Sequence, residues 1–197
     1  LRGFDEDVRT AVHEGLKEAG VRVITQTVFE KIEDTGKGDL PLRIQLKNGH
    51  HLDADVIMMA VGRRPTTDTL GCEAAGVALD KNGAVIVDKW SKTNVPSVWA
   101  VGDVTDRVAL TPVAIREGHA FADTEFYDKP WHFDHTDIPT AVFTQPEVGT
   151  VGMTEADARK AFGNVDIYKT RFRPMKNMLN GDASRVLMKL VVKADDE

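Results

Sequence analysis

One cysteine, Cys72, stands among 197 residues. A lone thiol excludes an internal disulfide framework and suits a reducing compartment, so a cytoplasmic location is expected. Leu70-Gly71 before it and Glu73-Ala74-Ala75-Gly76 after it describe a loop or short helix, where a thiol packs rather than reacts. Long apolar runs are missing as well. The longest covers residues 56–61, far short of the roughly 20 that cross a bilayer, and the N-terminus carries no signal-like apolar core. There is no basic excess either: 25 Lys and Arg face 31 Asp and Glu, and the formal charge of −6 argues against nucleic acid as a partner. No G-x-G-x-x-G occurs, so that dinucleotide fingerprint is not in this stretch. His132, Asp134, His135 and Asp137 crowd one polar loop, but their spacing fits no common zinc pattern, and a solvated loop without metal is expected. What is present, 42% hydrophobic and 28% charged residues, describes a soluble globular chain with core enough for one or two domains.

The first part of the chain carries α/β patterning. Val8, Val12, Leu16 and Ala19 recur at helical spacing, which predicts an amphipathic helix over residues 4–20. A short buried strand follows at 21–24, and helix-then-strand is half of a crossover unit. Strands are expected at 27–34 and 40–46, the second with Leu40, Leu42, Ile44 and Leu46 in alternation. Residues 52–61 read as one continuous strand, apolar after Asp55 and so covered on both faces, as in a parallel sheet. From 65 to 95 the signals are loops and turns around one short strand at 84–87.

Residues 98–115, VWAVGDVTDRVALTPVAI, organise the rest. A strand stops at Gly102-Asp103, and after a short polar loop Thr111-Pro112 opens a helix expected to reach Tyr127. Glycine lets backbone approach a ligand without a Cβ in the way, and the Asp103 carboxylate accepts hydrogen bonds from hydroxyls. Thr111 suits the N-cap and Pro112 the first helical position, so that the free N–H groups face the loop and favour negative charge. Taken alone, a strand followed by Gly-Asp describes an ordinary structural turn. A different pattern starts at 138–143: a strand, a turn at 146–149, and a helix at 154–162 with Thr154 and Asp157 near the capping-box arrangement. Strands at 165–172 and 186–192 give this last part antiparallel α+β character.

Ala100-Val101-Gly102-Asp103-Val104, followed by Leu110-Thr111-Pro112-Val113-Ala114-Ile115, resembles the second FAD-binding motif of the flavin-dependent pyridine-nucleotide disulfide reductases, in the form seen in glutathione reductases. The resemblance implies an α/β fold with a terminal α+β part: a fragment of a flavoprotein with two dinucleotide domains, plus the beginning of its interface domain. On it, residues 1–64 are the C-terminal part of the NADPH-binding domain, 65–136 the FAD-domain return segment and 137–197 the incomplete start of the dimerisation domain. FAD and NADPH are the cofactors implied. Asp103 would hold the ribitol of FAD, with Gly102, Leu110, Thr111 and Pro112 around it and the helix start at the pyrimidine end of the flavin. Ala60-Val61-Gly62-Arg63-Arg64-Pro65 matches the exit from the NADPH domain and sets Arg63 beside the nicotinamide cofactor, where a permanently charged fork suits phosphate and ribose oxygens. Arg2 matches the second of two arginines that grip the 2′-phosphate. Ala141 and Phe143 match positions near the nicotinamide and the flavin.

For the substrate, the resemblance points to the segment Phe172-Arg173-Pro174-Met175-Lys176, which lines the disulfide site in the family. Phe172 and Met175 thus join Phe143 as substrate candidates. Arg116 and His119 lie three apart on one helix face. The family commonly has Arg at the His119 position, against a glutathione carboxylate. A neutral imidazole weakens attraction for an anionic tripeptide disulfide unless it is protonated or Arg116 compensates. A solvated helix face carrying a histidine is the equal alternative, and Gln145 departs from the His seen in many relatives. The family's redox cysteine pair and its C-terminal His-Pro segment do not occur in these residues, so no catalytic residue is expected here. The chain opens on Leu1 and closes on a strand-like run, and a piece of a longer polypeptide is expected. The function implied is that of a segment of an NADPH- and FAD-dependent reductase of glutathione disulfide, homodimeric when intact, with no membrane association. A trypanothione or dihydrolipoamide enzyme is the alternative within the family, the second disfavoured by Leu110-Thr111-Pro112-Val113. Outside it stands a non-catalytic flavin-binding or interface module.

Overall fold

The computed structural model describes residues 1–36 and 38–194. Among them the helices are α1 (Glu6–Glu18), α2 (Thr111–Phe126) and α3 (Glu155–Phe162). The strands are β1 (Phe29–Asp34), β2 (Leu42–Leu46), β3 (His51–Ala54), β4 (Thr140–Val142), β5 (Val148–Thr150), β6 (Val165–Phe172) and β7 (Val186–Lys193). Turns of 3₁₀ helix stand at Gly102–Thr105 and Met175–Asn177. The chain divides into two compact units, one of Leu1–Ile57 with Thr136–Glu197 and the other of Met58–His135. No described helix is long and apolar enough to cross a membrane.

In the first unit α1 starts where its sequence says it should. The Asp5 carboxylate accepts the Asp7 N–H at 3.0 Å, Glu6 and Asp7 occupy the first turn and Lys17 the last, all favourable to the helix dipole. Val12 faces inward. Gly15 sits mid-helix at a propensity cost of about 1 kcal/mol. Its reason is the Pro146 ring, whose Cδ would lie 2.3 Å from a Cβ at that position. β1, β2 and β3 form an antiparallel sheet, tied across β2 and β3 by a two-pronged Arg43–Asp53 pair at 2.7 and 2.8 Å. β4 pairs with β5 and β6 with β7, both antiparallel. α3 begins at Thr154, whose hydroxyl accepts the Asp157 N–H at 3.2 Å, the cap anticipated from the sequence.

A buried cation joins these elements. Lys189 of β7, with only 7% of its side chain exposed, reaches Asp5 at 2.8 Å, Asp7 at 2.7 Å and Glu155 at 2.8 Å. Asp5 also accepts the Glu155 N–H at 3.0 Å, so one carboxylate serves the start of α1 and the start of α3. Lys169 adds a second cation to Asp7, and Arg171 pairs with Glu14. Burial pushes the Asp5 carboxyl up, but hydrogen bonds from Lys189 and from the Glu155 and Asp7 N–H groups outweigh it and hold the group below the usual carboxylate range. Lys189 and Lys169 lower Asp7, and Lys189 and Arg159 lower Glu155. Burial alone would lower the Lys189 ammonium, yet its three carboxylates raise it instead.

Several expected strands do not form. Residues 21–24 are irregular, with Val21 and Ile24 exposed, and β3 ends at Ala54, leaving Val56, Met58 and Val61 exposed beyond it. The expected strands at 84–87 and 98–101 reduce to single bridges, Leu79 with Val85 and Lys92 with Trp99. An apolar run supplies only the side chains of a strand; the N–H and C=O groups need a ladder partner, and no described strand lies beside 56–61. The described ladders are accordingly antiparallel, and the parallel sheet implied by 52–61 is not among them.

The Met58–His135 unit replaces ladders with side chains. Thr67 Oγ1 donates to the Gly83 carbonyl at 2.7 Å, while Asn94 accepts the Ala78 N–H and donates to the Gly76 carbonyl, both at 2.8 Å. Asp88 accepts the N–H groups of Trp90 and Lys92 at 2.8 and 2.9 Å. Asx and Thr side chains thus satisfy the backbone around a small core of Val77, Ala84, Val85, Val113 and Ala120.

Candidate functional site

The site grows from Gly102. Its φ of +73° lies in the left-handed region, and a Cβ there would meet Ala114 Cβ at 3.0 Å, so both conformation and close approach to α2 require glycine. The Gly102 N–H donates to Glu117 Oε2 at 2.5 Å, Thr105 Oγ1 donates to the Gly102 carbonyl at 2.8 Å, and the Val85 N–H donates to the Val104 carbonyl at 2.9 Å. A turn held on three sides presents Asp103 outward with its side chain 57% exposed. Arg63, 40 residues earlier, comes to 3.5 Å of that carboxylate and is itself 78% exposed. A pair so wet contributes about 0–1 kcal/mol at most, so the carboxylate keeps lone pairs for incoming hydroxyls. The structure therefore brings Arg63 and Asp103 together.

The start of α2 differs by one residue from expectation. Leu110 is the N-cap, Thr111 and Pro112 are the first two helical residues, and Thr111 caps nothing. Leu110 has no side-chain acceptor, and the first turn holds no acidic residue. The outcome strengthens what the turn can do chemically: an uncapped helix end leaves its first N–H groups and its partial positive charge available to an anionic or carbonyl-bearing group. Thr111 and Pro112 are exposed beside it.

Glu117, which sequence reasoning missed, is the most deeply buried charge of the unit, 2% exposed. Its Oε2 takes the Gly102 N–H, and its Oε1 meets Arg107 Nη2 at 2.9 Å and His135 Nε2 at 2.6 Å. Arg107 also donates to Thr105 Oγ1 at 3.2 Å and Ser91 Oγ at 2.9 Å. A signal existed. Val113, Glu117 and Ala120, at positions i, i+4 and i+7, form the buried stripe of α2, and an acid in an apolar stripe needs partners.

The loop after α2 is more structured than a solvated one. Trp131 donates its indole N–H to Asp123 at 2.9 Å, Thr124 Oγ1 donates to the Trp131 carbonyl at 3.0 Å, and His132 meets the Trp90 ring edge-on at 5.3 Å. His132 and His135 thus serve different partners. Arg116 lies 4.8 Å over the Trp131 ring, a cation–π contact on the loop, whereas His119 is simply exposed.

The remaining expected residues lie in the other unit and are described there. Ala141 and Phe143 share an open groove of about 380 Å³ with Val142, Glu147, Val148 and Gly149, and Phe143 is 90% exposed. A larger cleft of about 580 Å³ beside Thr35, Leu40, Arg43 and Asp53 contains none of the expected residues. Phe172 ends β6 and Met175 opens the 3₁₀ turn after it, 88% exposed. That turn is held by Arg173, which donates to the carbonyls of Asp182 and Asn177 at 2.7 and 2.6 Å, and by buried Asn177, which donates to Ser184 Oγ at 2.9 Å. Arg2 is exposed near the N-terminus.

These residues fit a flavin at the Gly102 turn. An open carboxylate matches ribitol hydroxyls, a Cβ-free backbone permits close approach, and an uncapped helix end without acidic neighbours favours the electron-rich end of the ring. Arg63 is exposed in the Met58–His135 unit, and Arg2 and Ala141 are exposed in the other.

Comparison with known proteins gives the family. The family model described as pyridine nucleotide-disulphide oxidoreductase matches residues 1–118, and the dimerisation domain of the same family matches 138–197. A glutathione reductase of Nostoc sp. is 46% identical over 98% of this chain and 44% of its own length. A glutathione reductase of Burkholderia cepacia is 44% identical over 100% and 43%. A trypanothione reductase of Trypanosoma congolense is 42% identical over 92% and 36%. An HOCl-induced flavoprotein disulfide reductase of Escherichia coli superimposes with a TM-score of 0.88 at 26% identity, over 99% of this chain and 44% of that one. The chain spans less than half the length of these relatives.

Proposed function

This chain belongs to the pyridine nucleotide-disulphide oxidoreductase family, and on that footing we propose that it is a segment of an NADPH- and FAD-dependent disulfide reductase acting on glutathione disulfide. The observation that carries the proposal is the outward Asp103 carboxylate on a glycine-held turn in front of an uncapped helix end. When bound, the flavin supplies two-electron exchange between a nicotinamide and a disulfide. What this chain's residues do is bind and orient: Gly102 admits the ligand, Asp103 accepts from its hydroxyls, and Leu110, Thr111 and Pro112 lead it onto the start of α2. Arg63 in the Met58–His135 unit, and Arg2 and Ala141 in the other unit, are each assigned to NADPH by the family resemblance alone. In this reading residues 1–64 are the trailing part of the NADPH domain, 65–136 the FAD-domain return segment and 137–197 the start of the interface domain of a homodimer.

The test is Asp103→Ala in a full-length protein carrying this segment. A charged hydrogen-bond partner contributes about 1.5–3 kcal/mol, so FAD affinity should fall about tenfold to a hundredfold while the FAD-loaded fraction keeps its NADPH affinity. Unchanged FAD retention through gel filtration would refute the site.

A second substrate reading, a larger and less anionic disulfide such as trypanothione, is favoured by one feature. Arg116 is engaged with Trp131, so His119 stands without it where an anionic substrate would want a permanent cation. We expect His119→Arg to lower KM for glutathione disulfide by about twofold to fivefold, the worth of one exposed charge pair, with KM for NADPH unmoved. If both constants stay put, the side chain faces solvent and does not discriminate.

A further inference from the structure

We infer that Glu117 is the positioning residue of the flavin turn, an assignment that rests on the FAD reading of Asp103. Its two oxygens are divided between two tasks. Oε2 accepts the Gly102 N–H at 2.5 Å and so fixes the Val101–Gly102 peptide, one peptide ahead of the one that carries Asp103. Oε1 carries the Arg107 guanidinium at 2.9 Å and the His135 ring at 2.6 Å, which balance a carboxylate that is otherwise out of water. Gly102 has no Cβ and hence no rotamer to lock it. Its orientation depends on its backbone partners, and the Glu117 bond is the one that comes from α2, the helix whose first turn completes the site. Glu117 lies a turn and a half below that end, with Val113 buried between. The carboxylate therefore ties the Asp103 side of the site to its helix side.

The division between oxygens makes the role separable from mere packing. Glu117→Leu removes the acceptor of Gly102. Arg107→Met and His135→Phe remove the partners of Oε1 and leave that acceptor in place. Glu117→Gln keeps one oxygen that can turn to Gly102. FAD titration of the full-length apoprotein, followed by flavin fluorescence and visible circular dichroism, should show at least a tenfold loss of affinity and an altered flavin dichroism for Glu117→Leu. The other three should stay within about threefold and keep the native dichroism, although all four lower the melting temperature of the apoprotein. Should Glu117→Leu fail to fold, Glu117→Leu combined with Arg107→Met removes the stranded cation and provides the same reading. FAD affinity that follows apoprotein stability across all variants, whichever oxygen is affected, overturns the inference. The same titration of Asp103→Ala separates the two levels: loss there with none at Glu117→Leu defeats the positioning role alone, and no loss at Asp103 defeats the flavin site and the inference with it.

Discussion

Lys189→Met should lower the stability of the Leu1–Ile57 and Thr136–Glu197 unit by about 3 kcal/mol, the lower end of what breaking a buried ion pair costs. The lower end applies because the carboxylate side chains stay 12% to 31% exposed, so water partly screens them once the cation is gone. Hydrogen exchange of the β6 and β7 amides reads this directly. The three tryptophans, Trp90, Trp99 and Trp131, all lie in the Met58–His135 unit, so their fluorescence is an internal control that should move much less. The pH dependence has a definite sign. Asp5, Asp7 and Glu155 have carboxyls held below their ordinary values, so the stability they confer is complete above about pH 5 and is lost as pH falls through their folded values. Lys189, held above its ordinary value, contributes fully at every pH below its unfolded range and loses that contribution only in strong alkali. The gap between the native chain and Lys189→Met should therefore be widest near neutrality and narrow toward pH 3, as the stranded carboxylates take up protons. A gap of the same size at pH 3 and pH 7 would show that the lysine acts through its alkyl stem.

The 197-residue chain alone should show no NADPH-dependent reduction of glutathione disulfide, even with added FAD. Reducing a disulfide through a protein dithiol takes two thiols, and this sequence holds one, Cys72. Val56, Met58, Val61, Phe143, Met175 and Leu179 are all strongly exposed, and apolar surface on this scale is an aggregation hazard. NADPH oxidation by monodisperse material of confirmed mass is the assay. Turnover approaching that of a full reductase would require a redox centre among residues read here as structural, and would discard the segment proposal.

Helices were legible in the sequence because their signals are local. The Val8–Val12–Leu16 spacing predicts α1, the Thr154–Asp157 pair predicts the start of α3, and the strands expected at 165–172 and 186–192 form as β6 and β7. The strand expected at 21–24, and the part beyond Ala54 of the strand expected at 52–61, failed for the opposite reason: their residues suit a sheet, but a sheet is a property of two segments, and the partner was not in the pattern. The same holds at the site. Gly102, Asp103 and the start of α2 are contiguous enough to be recognised, whereas the loose Arg63–Asp103 pair spans 40 residues and the Glu117 bond to Gly102 spans 15. Arg116 is read from the sequence as a charge that could compensate for His119, with a solvated helix face as the equal alternative. Its contact with Trp131 depends on a loop that doubles back on α2, which no periodicity announces.

Asp5 caps α1 and, with its other oxygen, takes the first N–H of α3 from a residue 150 positions later in the chain. A ribosome emitting this polypeptide releases α1 long before Glu155 or Lys189 exists. Over that interval the helix has its local cap and dipole complement but not the buried cation that neutralises Asp5 and Asp7, and a helix of 13 residues is marginal on its own. The order of assembly is thereby set: α1 waits, and the closing of so long a loop is a slow, late step that completes the unit only once β7 has been made.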